Sequence, residues 1–307
     1  MATLNEPRFT SAEEARKYLE AIRWPEGPVC PHCGTVGNAY QTKRPGLYRC
    51  GSKECRKDFT VTVGTVYERS HIPLHKWLLA TYLLCSSKKG ISTHQLHRTL
   101  GVTYKSAWFM THRIREAMKP GKGEPPLGGK DKIVEADETY IGNKKGYKLR
   151  RAAYHHKLKV MTLVEREGTA RSFHVDDLYS TTLRPILKDN IKSETSLMTD
   201  ESPLYRGINK IFSKHLTVNH GKDEYVRGLA HTNTIEGFFS ISKRGMKGVY
   251  QHCGEQHLQR YLAEFDFRYN AREALGVNDD VRTDRALKGI EGKRLTYRRT
   301  GGEEHFA

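Results

Sequence analysis

Residues 132–142 read KIVEADETYIG, an apolar, β-rich run with the aspartate Asp137 at its centre. Two other segments of the same half of the chain place a carboxylate in a comparable position. Asp200 ends the short apolar run SLMTD, and Glu236 lies in HTNTIEGFFSISKRG (231–245), whose apolar residues recur at helical spacing. Carboxylates are the hard oxygen ligands that Mg²⁺ prefers. The three acids together therefore suggest a site for two Mg²⁺ (or Mn²⁺) ions of the kind that promotes phosphoryl transfer.

The order of elements around these acids predicts the fold. The predicted elements are strands 132–141, 158–165 and 169–175, helix 180–191, a strand ending at Asp200, helix 202–212, strand 214–219 and a helix from about 232. This is the order of a ribonuclease-H-like α/β domain. In that fold the centre of the first strand, the end of the fourth strand and the last helix meet on one face. We therefore expect Asp137, Asp200 and Glu236 to converge.

The last predicted helix carries two more polar candidates. Asn233, Glu236 and Lys243 lie on one stripe of this helix, while the apolar residues of IEGFF form the neighbouring stripe that would pack on the sheet. Glu236 can then face the metal ions while Lys243 points at a phosphate. Asn233 can reach a ligand or a metal-bound water.

Each acid also has an ordinary structural role open to it. Asp137 could be an edge-strand charge, Asp200 could only cap the helix that follows it, and the third acid taken alone is typical of a surface helix residue. Glu135 shares the strand face of Asp137 and remains a rival for its position. Asp176 and Asp177 are more typical of a turn that enters a helix.

Four of the six cysteines predict a zinc site near the N-terminus. Cys30, Cys33, Cys50 and Cys55 follow the pattern C-x2-C-x16-C-x4-C, and four thiolates suit one tetrahedral Zn²⁺. The glycine after CPHC permits a backbone turn under the metal, whereas the second pair is spaced more widely than usual. His32 is expected to face solvent. Four protein ligands leave no open position, so the zinc of this zinc-ribbon-like module would be structural.

A helical module follows the cysteines. Residues 88–118 have the layout of a helix-turn-helix, with Ser92 capping a short helix and Gly101 at the turn, and residues 73–84 supply a preceding helix. In such motifs the N-terminal residues of the second helix reach base edges in the major groove. Here these residues are Thr103, Tyr104, Lys105 and Ser106.

The alternative interpretation of this segment is a generic helical packing unit without a DNA-reading helix. Helix pairs that join at a glycine are common in proteins. In that case His112, Arg113 and Arg115 would form a solvated face of the second helix.

The overall charge indicates a polyanionic partner. Lys and Arg number 52 against 35 acids, a formal net charge of +17. Nucleic acid fits this excess, because each phosphate that Lys or Arg neutralises releases condensed counterions. No apolar run approaches the ~18 residues that a membrane span needs, and the N-terminus lacks the apolar region of a signal peptide. We therefore expect a soluble, cytoplasmic, nucleoid-associated protein with no membrane partner.

Composition and these patterns divide the chain into six segments. A helix with Ser11 as its N-cap occupies the first of them, a linker rich in Gly and Pro separates the front modules from the α/β domain, and the basic end is expected to be a solvated or nucleic-acid-contacting extension. The segments are an N-terminal helix (1–27), the zinc ribbon (28–66), the helix-turn-helix module (67–119), the linker (120–131), the ribonuclease-H-like domain (132–275) and the basic tail (276–307).

Several stretches of the chain resemble the ISXO-type insertion-sequence transposases, relatives of the Merlin transposons. The resemblance rests on TVTVGT…HIPLHKW, SSKKGIS…LGVTYKSAW, EADETYIG and HTNTIEGFFS…KRG…HLQRYLAEFDFRYN, and it covers roughly residues 25–275. It implies an acidic-triad transposase acting on terminal inverted repeats, with Asp137, Asp200 and Glu236 at the catalytic positions and Lys243 as their basic partner. Some members have Asn as the third catalytic residue, which makes Asn233 a second candidate.

The sequence thus predicts a DNA transposase that binds the ends of an insertion sequence, cuts them and joins them to target DNA, as a homo-oligomer on the DNA. Two alternatives remain open. One is a ribonuclease-H-like nuclease or resolvase, which shares the metal chemistry and lacks strand transfer. The other is a non-enzymatic DNA-binding regulator built on an inactive domain.

Overall fold

The computed structural model describes residues 3–121, 123–144, 156–219, 221 and 224–296. The chain folds into two compact units, and it enters the second one twice. The first unit comprises the chain up to Ser86, Thr93–Met118 and the segment from Asp279 onward, and the second comprises Ser87–Ser92 and Lys119–Asn278.

Helices and strands of the described residues are numbered in chain order. The strands are β1 (Ala39–Gln41), β2 (Tyr48–Cys50), β3 (Asp58–Phe59), β4 (Ile133–Ile141), β5 (Leu158–Glu165), β6 (Ala170–Val175), β7 (Ser196–Thr199) and β8 (Lys214–Thr217). The helices are α1 (Pro7–Thr10), α2 (Ala12–Arg23), α3 (Leu74–Ser86), α4 (Thr93–Leu100), α5 (Tyr104–Met118), α6 (Ser180–Asn190), α7 (Asn233–Gly245), α8 (Leu258–Asn270) and α9 (Asp279–Lys288). Within the part of the chain that the structure describes, no helix is long and apolar enough to span a bilayer.

The second unit is built on a five-stranded sheet of order β6-β5-β4-β7-β8. The hairpin strands β4, β5 and β6 are antiparallel, whereas β7 and β8 run parallel to β4. This mixed topology is consistent with the predicted ribonuclease-H-like fold. Seven of the eight predicted elements of the domain are present, with ends within a few residues of the prediction.

Side-chain alternation along the central strands separates two layers of core. Val134 and Ala136 of β4 face a cluster that includes Leu183 and Leu187 of α6. The residues between them along the strand face the opposite side, where Phe238 of α7 packs with residues of β5 and α8. The acids at positions 135 and 137 therefore share the side of the sheet that α7 covers.

One predicted element is absent. The sequence predicted a helix over 202–212, but the chain forms two short 3₁₀ turns there, Pro203–Tyr205 and Ile208–Lys210. Gly207 lies between them with φ of 76°, in the left-handed region that ends a helix. The apolar residues of this segment still bury in the α6 layer, so burial alone did not require a continuous helix.

The first unit combines a three-stranded antiparallel sheet, β1-β2-β3, with helices. Helix α2 begins after Ser11, whose hydroxyl accepts a hydrogen bond from the backbone N of Glu14 at 3.4 Å, which confirms the predicted N-cap. Trp24, at the end of α2, packs edge-on against the rings of Tyr48 and Phe59 in the small sheet. Helices α3, α4 and α5 are present where the sequence predicted helices.

Up to residue 296, the basic C-terminal segment differs from the expected solvated or nucleic-acid-contacting extension, and residues 297–307 lie outside the described residues. Ala286, Leu287 and Ile290 are fully buried, because their spacing places them on one face, and α9 packs against α3 within the first unit. The backbone N of Val66 donates to the carbonyl of Ile290 at 3.1 Å, which ties this segment to the chain beside the small sheet.

Candidate functional site

Two of the predicted acids lie side by side where β7 ends. Parallel pairing joins Glu135 of β4 to Met198 of β7, and two residues farther along each chain are Asp137 and Asp200. Neighbouring strands are about 4.8 Å apart, so the register brings the two aspartates to the same level of the sheet. Oδ1 of Asp200 also accepts a hydrogen bond from the backbone N of Ser202 at 3.0 Å, so Asp200 shapes the turn that follows β7 as well.

Helix α7 is held against this part of the sheet by Glu135. The carboxylate is fully buried; its Oε2 accepts from the backbone N of Ile235 at 2.9 Å, and its Oε1 receives Nε of Arg166 at 2.6 Å. Arg166 also donates to the carbonyls of Leu229 and His231, just before α7. Both oxygens of Glu135 are thus engaged in anchoring α7. Sequence reasoning kept Glu135 as a rival to Asp137 and did not find Arg166.

The polar stripe of α7 lies at the start of the helix and two turns later. Glu236 is exposed in the first turn, and its Oε1 accepts a hydrogen bond from Oγ1 of Thr232 at 2.9 Å. Asn233 is the first residue of α7 and is also exposed. Nζ of Lys243 lies 5.5 Å from the centre of the Phe239 ring.

The electrostatics of Asp137 include contributions from three of the other predicted residues. Burial raises the pKa of Asp137 to about 7, and the negative charges of Asp200 and Glu236 act in the same direction. A backbone hydrogen bond from Glu138 and the positive charge of Lys243 lower this pKa. The structure therefore brings three acids and one lysine within electrostatic reach of one another.

Sequence reasoning missed a further acid next to this site, on the other side of the sheet. Burial also raises the pKa of Glu138 to about 7, while the hydrogen bond from the Tyr205 hydroxyl lowers it and the charges of Asp137 and Asp200 raise it again. Strand alternation turns Glu138 toward the α6 side of the sheet, away from Asp137, so alternation alone gave no reason to group them. The adjacency of the two acids in EADET was the available signal.

The four cysteines form the tightest group of potential ligands. In the described ranges, they are the one group of three or more His, Cys, Asp or Glu ligand atoms that lie within 4.8 Å of one another. The Sγ atoms of Cys30 and Cys55 are 3.7 Å apart, and those of Cys33 and Cys50 are 3.6 Å apart. Zn–S bonds of about 2.3 Å in a tetrahedron place sulfurs about 3.8 Å apart, so the cluster fits one structural zinc ion. His32 is exposed, as predicted.

Backbone turns adapt the chain to both cysteine spacings. Gly34 has φ of 76°, and its backbone N donates to the carbonyl of Cys30 at 2.8 Å, which is the predicted turn of the first pair. In the longer second loop the backbone N atoms of Cys55 and Arg56 both donate to the carbonyl of Ser52 at 3.1 Å. One extra turn thus absorbs the two additional residues between Cys50 and Cys55.

Comparison with known proteins identifies the family. Residues 126–270 match the ISXO2-like transposase domain, and residues 10–58 match the transposase zinc-ribbon domain. An uncharacterised protein in transposable element ISH50 of Halobacterium salinarum is 30% identical over 295 residues, which cover 87% of this chain and 95% of that protein. The chain belongs to the ISXO2-like transposase family. An uncharacterised transposase-like protein of Haemophilus influenzae is 26% identical over 99 residues, which are 32% of this chain and 79% of that protein.

The two matches cover different parts of the transposase. The transposase-domain match contains the sheet of the second unit, the three predicted acids and helices α6, α7 and α8. The ribbon match contains α2 and all four cysteines. Helices α3, α4 and α5 lie outside both matches, so their role rests on their own geometry.

In the transposase, the predicted DNA-reading residues lie at the start of α5. Thr103, Tyr104 and Lys105 are exposed, and Ser106 is partly exposed. Oγ1 of Thr103 accepts from the backbone N of Ser106 at 3.1 Å, the usual bond of an N-cap. The Tyr104 ring lies 4.5 Å from that of His94 on α4.

The solvated face expected on α5 under the alternative interpretation is wrong. His112, Arg113 and Arg115 are buried. Nη1 of Arg113 donates to the carbonyl of Glu68 at 3.1 Å, and its guanidinium lies 4.6 Å from the centre of the Phe109 ring. Arg113 packs inside the first unit because backbone carbonyls and an aromatic ring satisfy its guanidinium group.

Proposed function

We propose that this transposase binds the terminal inverted repeats of its insertion sequence, cuts the DNA there and joins the ends to target DNA. One observation carries the proposal: the register of β4 and β7 sets Asp137 beside Asp200 on a sheet whose open face receives α7 and Glu236. In a family of transposases, a cluster of carboxylates at this position supports phosphoryl transfer on DNA.

The donor set suits Mg²⁺. Carboxylate oxygens are hard ligands, and divalent cations would neutralise the negative charges of Asp200 and Glu236 that act, after burial, to raise the pKa of Asp137. We propose that Asp137, Asp200 and Glu236 would hold two Mg²⁺ (or Mn²⁺) ions. When bound, such ions supply an activated oxygen nucleophile and stabilise the leaving oxygen.

The side chains around the acids have supporting roles in this proposal. Glu135 and Arg166 hold α7 at the sheet, which sets the position of Glu236. Lys243 binds a DNA phosphate near Asp137. Asn233, three residues before Glu236 on the same stripe, is the second candidate for the third ligand.

We propose that the front of the chain recognises the DNA ends. The net charge of +17 supports a DNA partner, and the exposed first turn of α5 supports a helix-turn-helix reading by residues 103–106. The six segments predicted from the sequence remain the proposed domain organisation. The exception is α9, which belongs to the first unit. We expect a homo-oligomer to act on element ends and target DNA in the nucleoid.

Conservative substitutions of the acids test this function. Asp137→Asn, Asp200→Asn and Glu236→Gln each remove a negative charge while nearly preserving shape, so folding and end binding should persist. Metal-dependent cleavage of an end-containing duplex should fall by roughly 10²-fold or more, because transition-state charge loses its stabilisation. The matched control is Asp176→Asn, an exposed acid outside the site that should cut normally. Wild-type cleavage by Asp137→Asn would contradict the proposal.

The same assay separates the remaining alternatives. Lys243→Ala should weaken cleavage less than loss of an acid does. If Asn233→Ala abolishes cleavage and Glu236→Gln does not, Asn233 is the third ligand. Cutting without joining would identify a nuclease or resolvase, and specific binding without either reaction would identify a regulator.

A further inference from the structure

An apolar turn lies immediately before α7. Tyr225, Val226 and Leu229 are 55%, 56% and 60% exposed, three large apolar side chains within five positions. The backbone N of Arg227 donates to the carbonyl of Ala230 at 2.9 Å, and the backbone N of Ala230 donates back to Arg227 at 3.0 Å. We call residues 225–230 the apolar turn. Exposed apolar side chains that cluster in this way mark interaction surfaces more often than isolated ones do.

The apolar turn is built as a rigid feature. Gly228, with φ of 60°, occupies the position in a two-residue hairpin loop that favours glycine. Ala230 is buried against Met198 and Val218, which fixes the base of the turn on the sheet. Arg166 donates to the carbonyl of Leu229, and Arg227 of the turn itself donates to a carbonyl of β8. Because this support is rigid, the exposed side chains are held in position before anything binds to the turn.

The same arginines place the apolar turn beside the acids. Nη2 of Arg227 donates at 2.9 Å to the carbonyl of Thr217, the last residue of β8, which pairs with the residue just before Asp200. Nη1 of Arg166 donates at 3.0 Å to the carbonyl of Leu229 while Nε holds Glu135, two residues before Asp137 on the same strand face. The turn is thus tied to the strand residue that pairs with the neighbour of Asp200 and, through Arg166, to the strand that carries Asp137.

We propose that the apolar turn is a wedge that inserts between, or stacks under, the bases next to the scissile phosphate at the element end. This inference rests on the proposed function and names how that site handles its substrate. Duplex bases near the cut are stacked, and apolar side chains that enter a base step unstack it and kink the DNA. Arg227, on the same turn, is 61% exposed although its Nε pairs with Oε1 of Glu224 at 3.2 Å, and it would contact the adjacent phosphate.

Nucleobases fit this surface better than a second protein chain does. The turn presents only three apolar side chains, far less surface than a stable protein interface buries. It also lies at the carboxylate site of a chain with a net charge of +17, where DNA has to approach. An intercalating contact needs a few rigid side chains, which is what the turn offers.

A comparison of paired and unpaired substrates tests the proposal in the full-length protein. The double variant Val226→Ser, Leu229→Ser should cleave a fully paired end duplex roughly tenfold more slowly than wild type, because unstacking is no longer assisted. A duplex with mismatches at the bases beside the cut is already unstacked, so the variant should recover the wild-type rate on it. The matched control is Leu275→Ser, an exposed apolar residue elsewhere in the second unit that should cleave both substrates normally.

A second measurement reports on the bases directly. In an Asp137→Asn background, which binds without cutting, 2-aminopurine beside the scissile phosphate should brighten when the turn is intact and stay dim with the serine substitutions. Equal defects on both duplexes, or no defect on either, would overturn the wedge. An altered oligomeric state of the serine variant would assign the turn to a second copy instead, also against the proposal. Cleavage by Asp137→Asn would instead refute the proposed function.

Discussion

Two acids on one face of β4 have opposite surroundings. Glu135 is fully buried with a positive partner, Arg166, and a backbone donor, so its charge is compensated. Among the described residues, Asp137 has no ion-pair partner of this kind: burial raises its pKa first, and the charges of Asp200 and Glu236 raise it further, against the weaker opposing effect of Lys243. A compensated carboxylate stabilises structure, whereas an uncompensated cluster creates a position for a cation. This difference supports Asp137 over Glu135 as the proposed metal ligand.

Asp266 offers a pH-dependent stability test away from the acid cluster. Burial raises the pKa of Asp266 to about 7, although Oδ1 accepts a hydrogen bond from the Ser172 hydroxyl and Oδ2 one from its backbone N. In the unfolded chain this pKa is about 3.9. Since the folded pKa is the higher one, Asp266 stabilises the fold fully below about pH 4, and this contribution is lost as the pH rises through 7.

The Asp266→Asn variant should therefore lose less stability than wild type as the pH rises. Linkage sets the difference at about 4 kcal/mol at most between about pH 4 and 8. Urea unfolding of both proteins at several pH values measures it, and the exposed Asp176→Asn serves as control. If the free energies of unfolding of wild type and Asp266→Asn run parallel over this range, Asp266 is not protonated in the folded protein.

At the scale of elements, α8 explains what the sequence could not predict. Its polar residues cover the free edge of β6. The side chain of Asn270 hydrogen-bonds to the backbone N and the carbonyl of Ala170. Farther along the helix, Asp266 accepts from the backbone N of Ser172, and Gln259 accepts from the backbone N of His174. Helical periodicity assigns such residues to a solvated face, because it cannot foresee that a sheet edge lies opposite. An uncovered edge strand would invite pairing with other chains.

The strands and their order were predictable, and the form of the segment after Asp200 was not. The order of strands and helices was enough to predict the fold, and the fold in turn led to the expected convergence of Asp137 with Asp200. The segment after Asp200 was predicted as a helix, because its apolar spacing satisfies a helix and a pair of 3₁₀ turns equally well. Gly207 was the one residue that distinguished them.

The zinc ribbon makes a prediction about metal removal. Cys33 is exposed, so Cys33→Ser removes a ligand and little packing. Metal analysis should find about one zinc per wild-type chain and much less in the variant. The small sheet should then unfold at lower temperature, since structural zinc contributes about 10–16 kcal/mol in small zinc modules.

The matched control for the zinc prediction is Cys253→Ser. It makes the same chemical change at a cysteine that lies outside the cluster. This variant should retain its zinc and its melting temperature. Full zinc content in Cys33→Ser would rule out the four-thiolate site.

At the scale of the whole molecule, the chain returns to its first unit after completing the second. The prediction from charge was wrong for this segment, because a run of basic residues such as that between 282 and 299 is typical of a solvated tail. The decisive residues were the few apolar ones between the charges, which bury against α3. Net charge predicts the kind of partner, as it does for DNA here, but it does not predict whether a segment folds.

Substitutions on α9 test whether the C-terminal segment is part of the first unit. Leu287 is fully buried, so Leu287→Ala should destabilise the first unit by about 2–5 kcal/mol through lost burial and a residual cavity. Val281→Ala, on the same helix but 42% exposed, should change stability by no more than about 0.5 kcal/mol. Thermal unfolding followed by tryptophan fluorescence measures each effect, because Trp24, Trp77 and Trp108 are all in this unit. If the segment were a solvated tail, neither variant would change the stability of the first unit measurably. If α9 is an integral helix, Leu287→Ala must lower this stability far more than Val281→Ala does.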